Sequence, residues 1–230
     1  MGVKVIANIR GGGEYGPTWH QAALKAKRHK AYEDVEAVAK DLVERGISCA
    51  AKMAVIGGSN GGLMVGNMLT RPVASTLFGA AVCQVPLLDM KVYSKLLAGA
   101  SWMGEYGDPA TDDWKFMRGF SAYHLLRHDC LGLPEAPCPE DTVKGESVAG
   151  TWRCPAVLFT TSTRDDRVHP GHARKMVRAL QEEGKEAAPL VLYWENVEGG
   201  HGGAADNKQK ATMWALTYLF LAQQLGLRSL

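Results

Sequence analysis

A serine lies among glycines in the segment Gly57-Gly58-Ser59-Asn60-Gly61-Gly62. The segment closes the apolar run MAVIG (53–57) and opens a helical pattern that continues to about Met68. A G-x-S-x-G pattern between a strand and a helix suits a nucleophile elbow, in which a sharp, strained turn lifts the serine oxygen above the sheet. Glycines beside the serine let neighbouring backbone pass close by without Cβ clashes. The helix N-terminus supplies free N–H groups and the positive end of a dipole. The Asn60 N–H is therefore the natural first donor to an oxyanion. The plainer reading is a glycine-rich turn that packs a helix on a strand. A phosphate loop is not supported: the segment lacks a Lys-Ser/Thr ending and does not match G-x-G-x-x-G.

A serine hydroxyl is a weak nucleophile until a base takes its proton. In a hydrolase of this kind the chain order is serine, acid, histidine. The run AVLFTT (156–161) leads into Ser162-Thr163-Arg164-Asp165-Asp166-Arg167-Val168, which offers two acids. One of them can face a histidine while the other caps the next segment, and spacing alone does not choose between them. The run PLVLYW (189–194) leads into His201, flanked by Gly199, Gly200, Gly202 and Gly203. Acid and base thus both fall just past strand C-termini, where α/β sheets gather their chemistry. His169 and His172 at a helix start, and His20 and His29 near or in the first long helix, read as structural or surface residues. His128, Cys130 and Cys138 are close in sequence but contain no CxxC pair, so no metal site is expected. No organic cofactor is implied.

The elements that must position these residues alternate between short apolar runs and helical stretches, the pattern of an α/β protein with a mostly parallel sheet. Five strands are predicted: 3–9, 53–57, 79–85, 156–161 and 189–194. Helices are expected over 20–45 (closed by Gly46), 59–68, 170–184 and 206–225. Residues 129–151 are polar and turn-rich and read as a surface insert within a single domain spanning 1–230.

Composition sets the outer limits. The 230 residues carry 46% hydrophobic and 22% charged side chains and a net charge of +2, ordinary for a soluble globular domain. This balance gives no electrostatic case for nucleic acid or an acidic membrane surface. The basic cluster Lys25, Lys27, Arg28 and Lys30 reads as the solvated face of a helix. No apolar run of about 18 residues suggests a membrane span, and MGVKVIANIR does not look like a signal segment. Five cysteines without regular spacing suggest free thiols in a reducing compartment, hence a cytoplasmic location.

Four blocks in order, ANIRGGGEYGPTWH (7–20), GGSNGGL (57–63), DDRVHP (165–170) and GGHGG (199–203), resemble the catalytic domain of the prolyl oligopeptidase family. The resemblance covers nearly the whole chain apart from the insert, and looks closest to the prolyl-specific branch. It implies an α/β-hydrolase three-layer sandwich, a serine peptidase acting on short peptides after proline through an acyl-enzyme, and no metal or organic cofactor. Carried over residue by residue, it makes Ser59 the nucleophile, Asp165 the acid and His201 the base, with Asn60 as a backbone oxyanion donor. Arg167 would bind a substrate carbonyl. Trp102 would stack on the proline ring, beside Tyr106, Leu87 and Val168, since a flat aromatic wall suits that ring. Trp102 has an equally simple reading as a core residue. Glu105 beside this pocket departs from what a proline ring needs and would suit a basic residue instead. The resemblance further implies that the first strands of the sheet, a β-propeller and a tyrosine oxyanion donor are missing. Tyr15 is nearby in sequence, without an argument that it substitutes. An edge left open in this way would invite self-association or pairing with a missing N-terminal segment, and weak or no peptidase activity is expected of the chain alone. An esterase or amidase with the same triad is the alternative enzyme.

Overall fold

The structure is a computed structural model that describes residues 2–127, 152–183 and 187–227. The expected insert at 129–151, with Cys130 and Cys138, and His128 beside it, lies outside the described residues. Four strands form one sheet in the order β1 (Ala54–Gly58), β2 (Ala80–Gln84), β3 (Ala156–Ser162) and β4 (Val191–Asn196). Every neighbouring pair is parallel, with Ala54 opposite Ala80, Ala80 opposite Ala156 and Val157 opposite Val191. The two inner strands are buried on both faces, which is why AAVCQ and AVLFTTS read as nearly unbroken apolar or small runs.

Helices cover both faces. Val55, Ala81, Cys83, Val157 and Phe159 point into the main core, which also holds Leu63, Val65 and Met68 of α2 (Asn60–Thr70) and Ala173, Met176 and Leu180 of α3 (Gly171–Glu182). Ala80, Val82 and Leu158, the alternate residues, face Phe220 of α4 (Asn207–Gln224). The three-layer sandwich read from the sequence is therefore present. α2 stops at Arg71, whose extended backbone (ψ 127°) is what a residue before proline prefers. α4 starts at Asp206, whose carboxylate accepts the Gln209 N–H at 2.8 Å.

Three expectations need correction. Residues 3–9 form no strand. They run along the surface, with Val3 73% and Ile6 76% exposed, and pair with no strand among the described residues. What holds their far end is an ion pair: the Arg10 guanidinium reaches Asp34 Oδ1 at 2.6 Å, and Trp19 Nε1 donates to the Ile9 carbonyl. The long helix expected over 20–45 is broken into Pro17–Gln21, a short turn at Lys25–Lys27, and α1 (His29–Glu44). The break carries Lys25 at φ 48°. It also turns Arg28 inward: this residue is 4% exposed, so the basic cluster is not a uniformly solvated face. Beyond the break the helix is amphipathic as read, burying Tyr32, Val35, Glu36 and Ala39. Buried Glu36 is met by Arg71 Nε at 2.6 Å.

Candidate active site

The carboxyl ends of β1, β3 and β4 carry the three residues singled out for chemistry. Ser59 follows β1 at φ 56°, ψ −113°, a region that costs a non-glycine residue on the order of 1–3 kcal/mol. The turn is held from both sides, since the Ser59 N–H donates to the Gln84 carbonyl (2.9 Å) and the Ser59 carbonyl accepts from Leu63 (3.1 Å). Two flanking glycines are sterically required. A Cβ on Gly57 would lie 2.3 Å from the Gly61 oxygen, and one on Gly62 would lie 2.7 Å from Pro86 Cβ. Ser59 thus occupies a strained, well-supported turn at the head of α2.

Of the two adjacent acids, Asp165 is the one that meets His201. His201 Nδ1 lies 2.8 Å from Asp165 Oδ2 and 3.0 Å from Oδ1. Asp165 is buried and Asp166 exposed. The Asp165 Oδ1 also accepts the backbone N–H groups of Arg167 and Val168, both at 2.9 Å. Burial by itself pushes this carboxyl up, but the hydrogen bonds from His201, Val168 and Arg167 outweigh it and hold the group below the usual aspartate value. An acid so held stays ionised and can orient an imidazole.

His201 and Ser59 line one cavity of about 290 Å³, together with Val85, Thr160, Met213 and Trp214. The loop carrying His201 is organised by Asn196 and Ser162, neither of which was among the expected site residues. Asn196 Oδ1 accepts from Glu198 and Gly199 N–H, while its Nδ2 donates to the Gly203 carbonyl at 3.0 Å. Ser162, at the end of β3, donates to the Asn196 and Gly199 carbonyls. The visible signal was small: an Asn closing a strand before a glycine-rich loop can fold it by Asx-type bonding. Gly199 sits where a Cβ would meet the Ala204 nitrogen at 2.7 Å, so this position has no room for a larger residue.

The predicted pocket residues fall into two groups. Leu87, Tyr106 and Val168 are each 2% exposed and belong to the main core. Trp102 is partly buried against that core and Arg167 is exposed, so these two present the substantial surface. None of the five lines the cavity beside Ser59 and His201. The segments do converge, because the Ala98 N–H donates to the Arg167 carbonyl at 3.3 Å, joining the Trp102 region to the Asp165 turn. Asn60 heads α2, and its side chain meets Arg28 and Glu105. Tyr15 is 66% exposed.

Three of the other described histidines hold structural or surface places. His172 Nδ1 accepts the Asp89 N–H at 3.1 Å, and burial pushes its pKa down to about 4, so it stays neutral. His169 Nδ1 accepts the Gly171 N–H. His29 is exposed and contacts the Ala26 carbonyl. The Cys83 and Cys154 thiols are buried and pushed up by that burial, so both are unreactive interior groups. Among the described residues no group of three or more His, Cys, Asp or Glu is placed to hold a metal ion, and no helix is long and apolar enough to cross a membrane.

Helices on both faces of a parallel sheet, with the chemistry gathered at its carboxyl edge, define an α/β-hydrolase. Residues 2–228 match the model of the prolyl oligopeptidase family, and the chain belongs to that family of serine peptidases. It is 41% identical over 226 residues to an uncharacterised peptidase of Sinorhizobium fredii, a match covering 97% of this chain and 27% of that one. It is 32% identical to a prolyl endopeptidase of Elizabethkingia meningoseptica, covering all of this chain and 29% of the other. Among solved structures, a post-proline cleaving enzyme from Rickettsia typhi superposes with a TM-score of 0.77 at 34% identity, over 96% of this chain and 28% of that one. The chain therefore spans under a third of the length of these relatives.

Proposed function

We propose that this chain is the catalytic part of a serine peptidase that hydrolyses short peptides after proline. Ser59 attacks the carbonyl carbon while His201 takes its proton. The tetrahedral intermediate collapses, His201 returns the proton to the departing amine, and water then releases the acyl group from Ser59. Asp165 keeps the imidazole in the tautomer whose Nε2 accepts, and the Asn60 N–H faces the developing oxyanion. Arg167 receives a substrate carbonyl, and Trp102 offers its ring to the proline.

The observation that supports this reading best is the 2.8 Å approach of His201 to the buried Asp165, with His201 and Ser59 sharing one cavity. The proline preference rests on the family and on the relatives named for cleavage after proline. The reading is tested by following cleavage of a peptide set differing only in the residue before the scissile bond, with Ser59→Ala alongside. Cleavage after proline that is lost in Ser59→Ala supports it; cleavage that survives Ser59→Ala contradicts it. Because the chain spans so little of its relatives' length, weak turnover is expected even where the chemistry is intact.

A second reading is favoured by one feature of the sheet. β1 pairs only with β2 among the described residues, and its Ile56 is 39% exposed. Such an edge invites pairing with another polypeptide or a second copy. Sedimentation would test it: a monomer at all concentrations counts against self-association.

A further inference from the structure

Arg28 is buried beside the residue that follows the nucleophile. Its Nη1 donates to Glu105 Oε1 at 2.7 Å, and its Nη2 donates to Asn60 Oδ1. Asn60 closes the triangle, its Nδ2 donating to the same Oε1 at 3.2 Å. The guanidinium also lies 5.1 Å from the centre of the Tyr106 ring. One cation thus ties the head of α2 to the short helix Met103–Tyr106 that follows Trp102. Burial alone would lower the Arg28 pKa, but Tyr32, Tyr106 and Glu105 more than offset it, and the guanidinium stays charged.

The charge arithmetic bears on specificity. The Glu105 side chain is 26% exposed and is hydrogen-bonded to Asn60, the residue after Ser59. Left unpaired there, a carboxylate would be an anchor for a cationic substrate residue. With Arg28 on it, the pair is neutral and a second cation finds no unpaired carboxylate to meet it. A proline ring has no charge to satisfy and meets no such barrier.

Building on the peptidase reading above, we propose that Arg28 is a specificity-determining residue: by holding Glu105 and Asn60 it keeps the surface beside the head of α2 electrically neutral and excludes peptides with Lys or Arg before the scissile bond. The test measures binding rather than turnover, in a Ser59→Ala background, using two peptides that differ only in Pro or Lys at that position. Arg28→Met should shift the ratio of affinities toward the Lys peptide by about tenfold. Adding Glu105→Gln to Arg28→Met should remove the shift, and Arg28→Lys should keep the original preference. If Arg28→Met fails to fold, Glu105→Gln alone carries the test, since it leaves the Arg28 charge without its carboxylate partner and should move the ratio about tenfold the other way. An unchanged ratio in the folded variants, or no binding of either peptide, overturns the proposal. A chain that binds as described but does not react with a fluorophosphonate would sink the catalytic reading and leave this one standing.

Discussion

Asp165→Asn separates the two adjacent acids and tests the whole orientation argument. The native carboxylate is surrounded by donors: His201 Nδ1 at 2.8 Å, and the Arg167 and Val168 N–H groups at 2.9 Å each. An asparagine has one acceptor oxygen and two N–H donors. Its oxygen can keep the two backbone bonds, so the turn survives. Its nitrogen must then face His201 Nδ1, which has to become an acceptor. The ring proton moves to Nε2, and that nitrogen can no longer take a proton from Ser59. Replacing an acid in this role by its amide lowers kcat by about 10⁴ in the serine protease template, with little change in KM. The lost charge-assisted bond should cost about 1.5–3 kcal/mol of stability. Asp166 is exposed and accepts no such set of bonds among the described residues, so Asp166→Asn should change kcat by less than about twofold, as surface substitutions generally do little. The assay is turnover of a proline peptide, or the rate of fluorophosphonate reaction, beside a denaturant titration of each variant. A folded Asp165→Asn chain within tenfold of the parent, or a larger loss in Asp166→Asn, would refute the argument.

Gly57→Val should abolish reaction at Ser59, because its Cβ would lie 2.3 Å from the Gly61 oxygen; overpacking of this kind costs about 1–3 kcal/mol, readable as a lowered unfolding midpoint. Asn196→Ala should leave the Glu198 and Gly199 N–H groups without their shared acceptor, a loss of about 1–3 kcal/mol, and slow Ser59 modification more than it weakens peptide binding. The pH dependence follows from the depressed Asp165 pKa. A folded-state pKa below the unfolded one gives stability that is fully present above the ordinary aspartate range and is lost as pH falls through the depressed value. Unfolding free energies of the parent and Asp165→Asn should therefore converge in acid and diverge toward neutral pH, and parallel curves would show that Asp165 carries no such linkage.

The parts of the fold that could be read from the sequence are those fixed by local pattern. AAVCQ and AVLFTTS declare buried strands because both faces are covered, and the Ser59 elbow declares itself because only glycine fits at 57 and 62. Asp165 and His201 follow from their places after β3 and β4, though only geometry separates Asp165 from Asp166. What escaped depends on partners distant in sequence. Arg28 belongs to a basic cluster on a helical pattern, and nothing local says that it turns inward to Glu105 and Asn60. Residues 3–9 have strand composition, yet a strand exists only where a neighbour supplies its hydrogen bonds. Asn196 and Ser162 act through backbone carbonyls and N–H groups of the His201 loop, which leave no spacing to recognise.

The central claim is that Ser59, His201 and Asp165 assemble into a reactive site within this chain. Treating the folded protein with a fluorophosphonate and measuring its intact mass tests that directly. A single adduct on Ser59 is expected, absent from Ser59→Ala and from His201→Ala. A folded chain that gains no mass, or one that is labelled equally well in either variant, would contradict it.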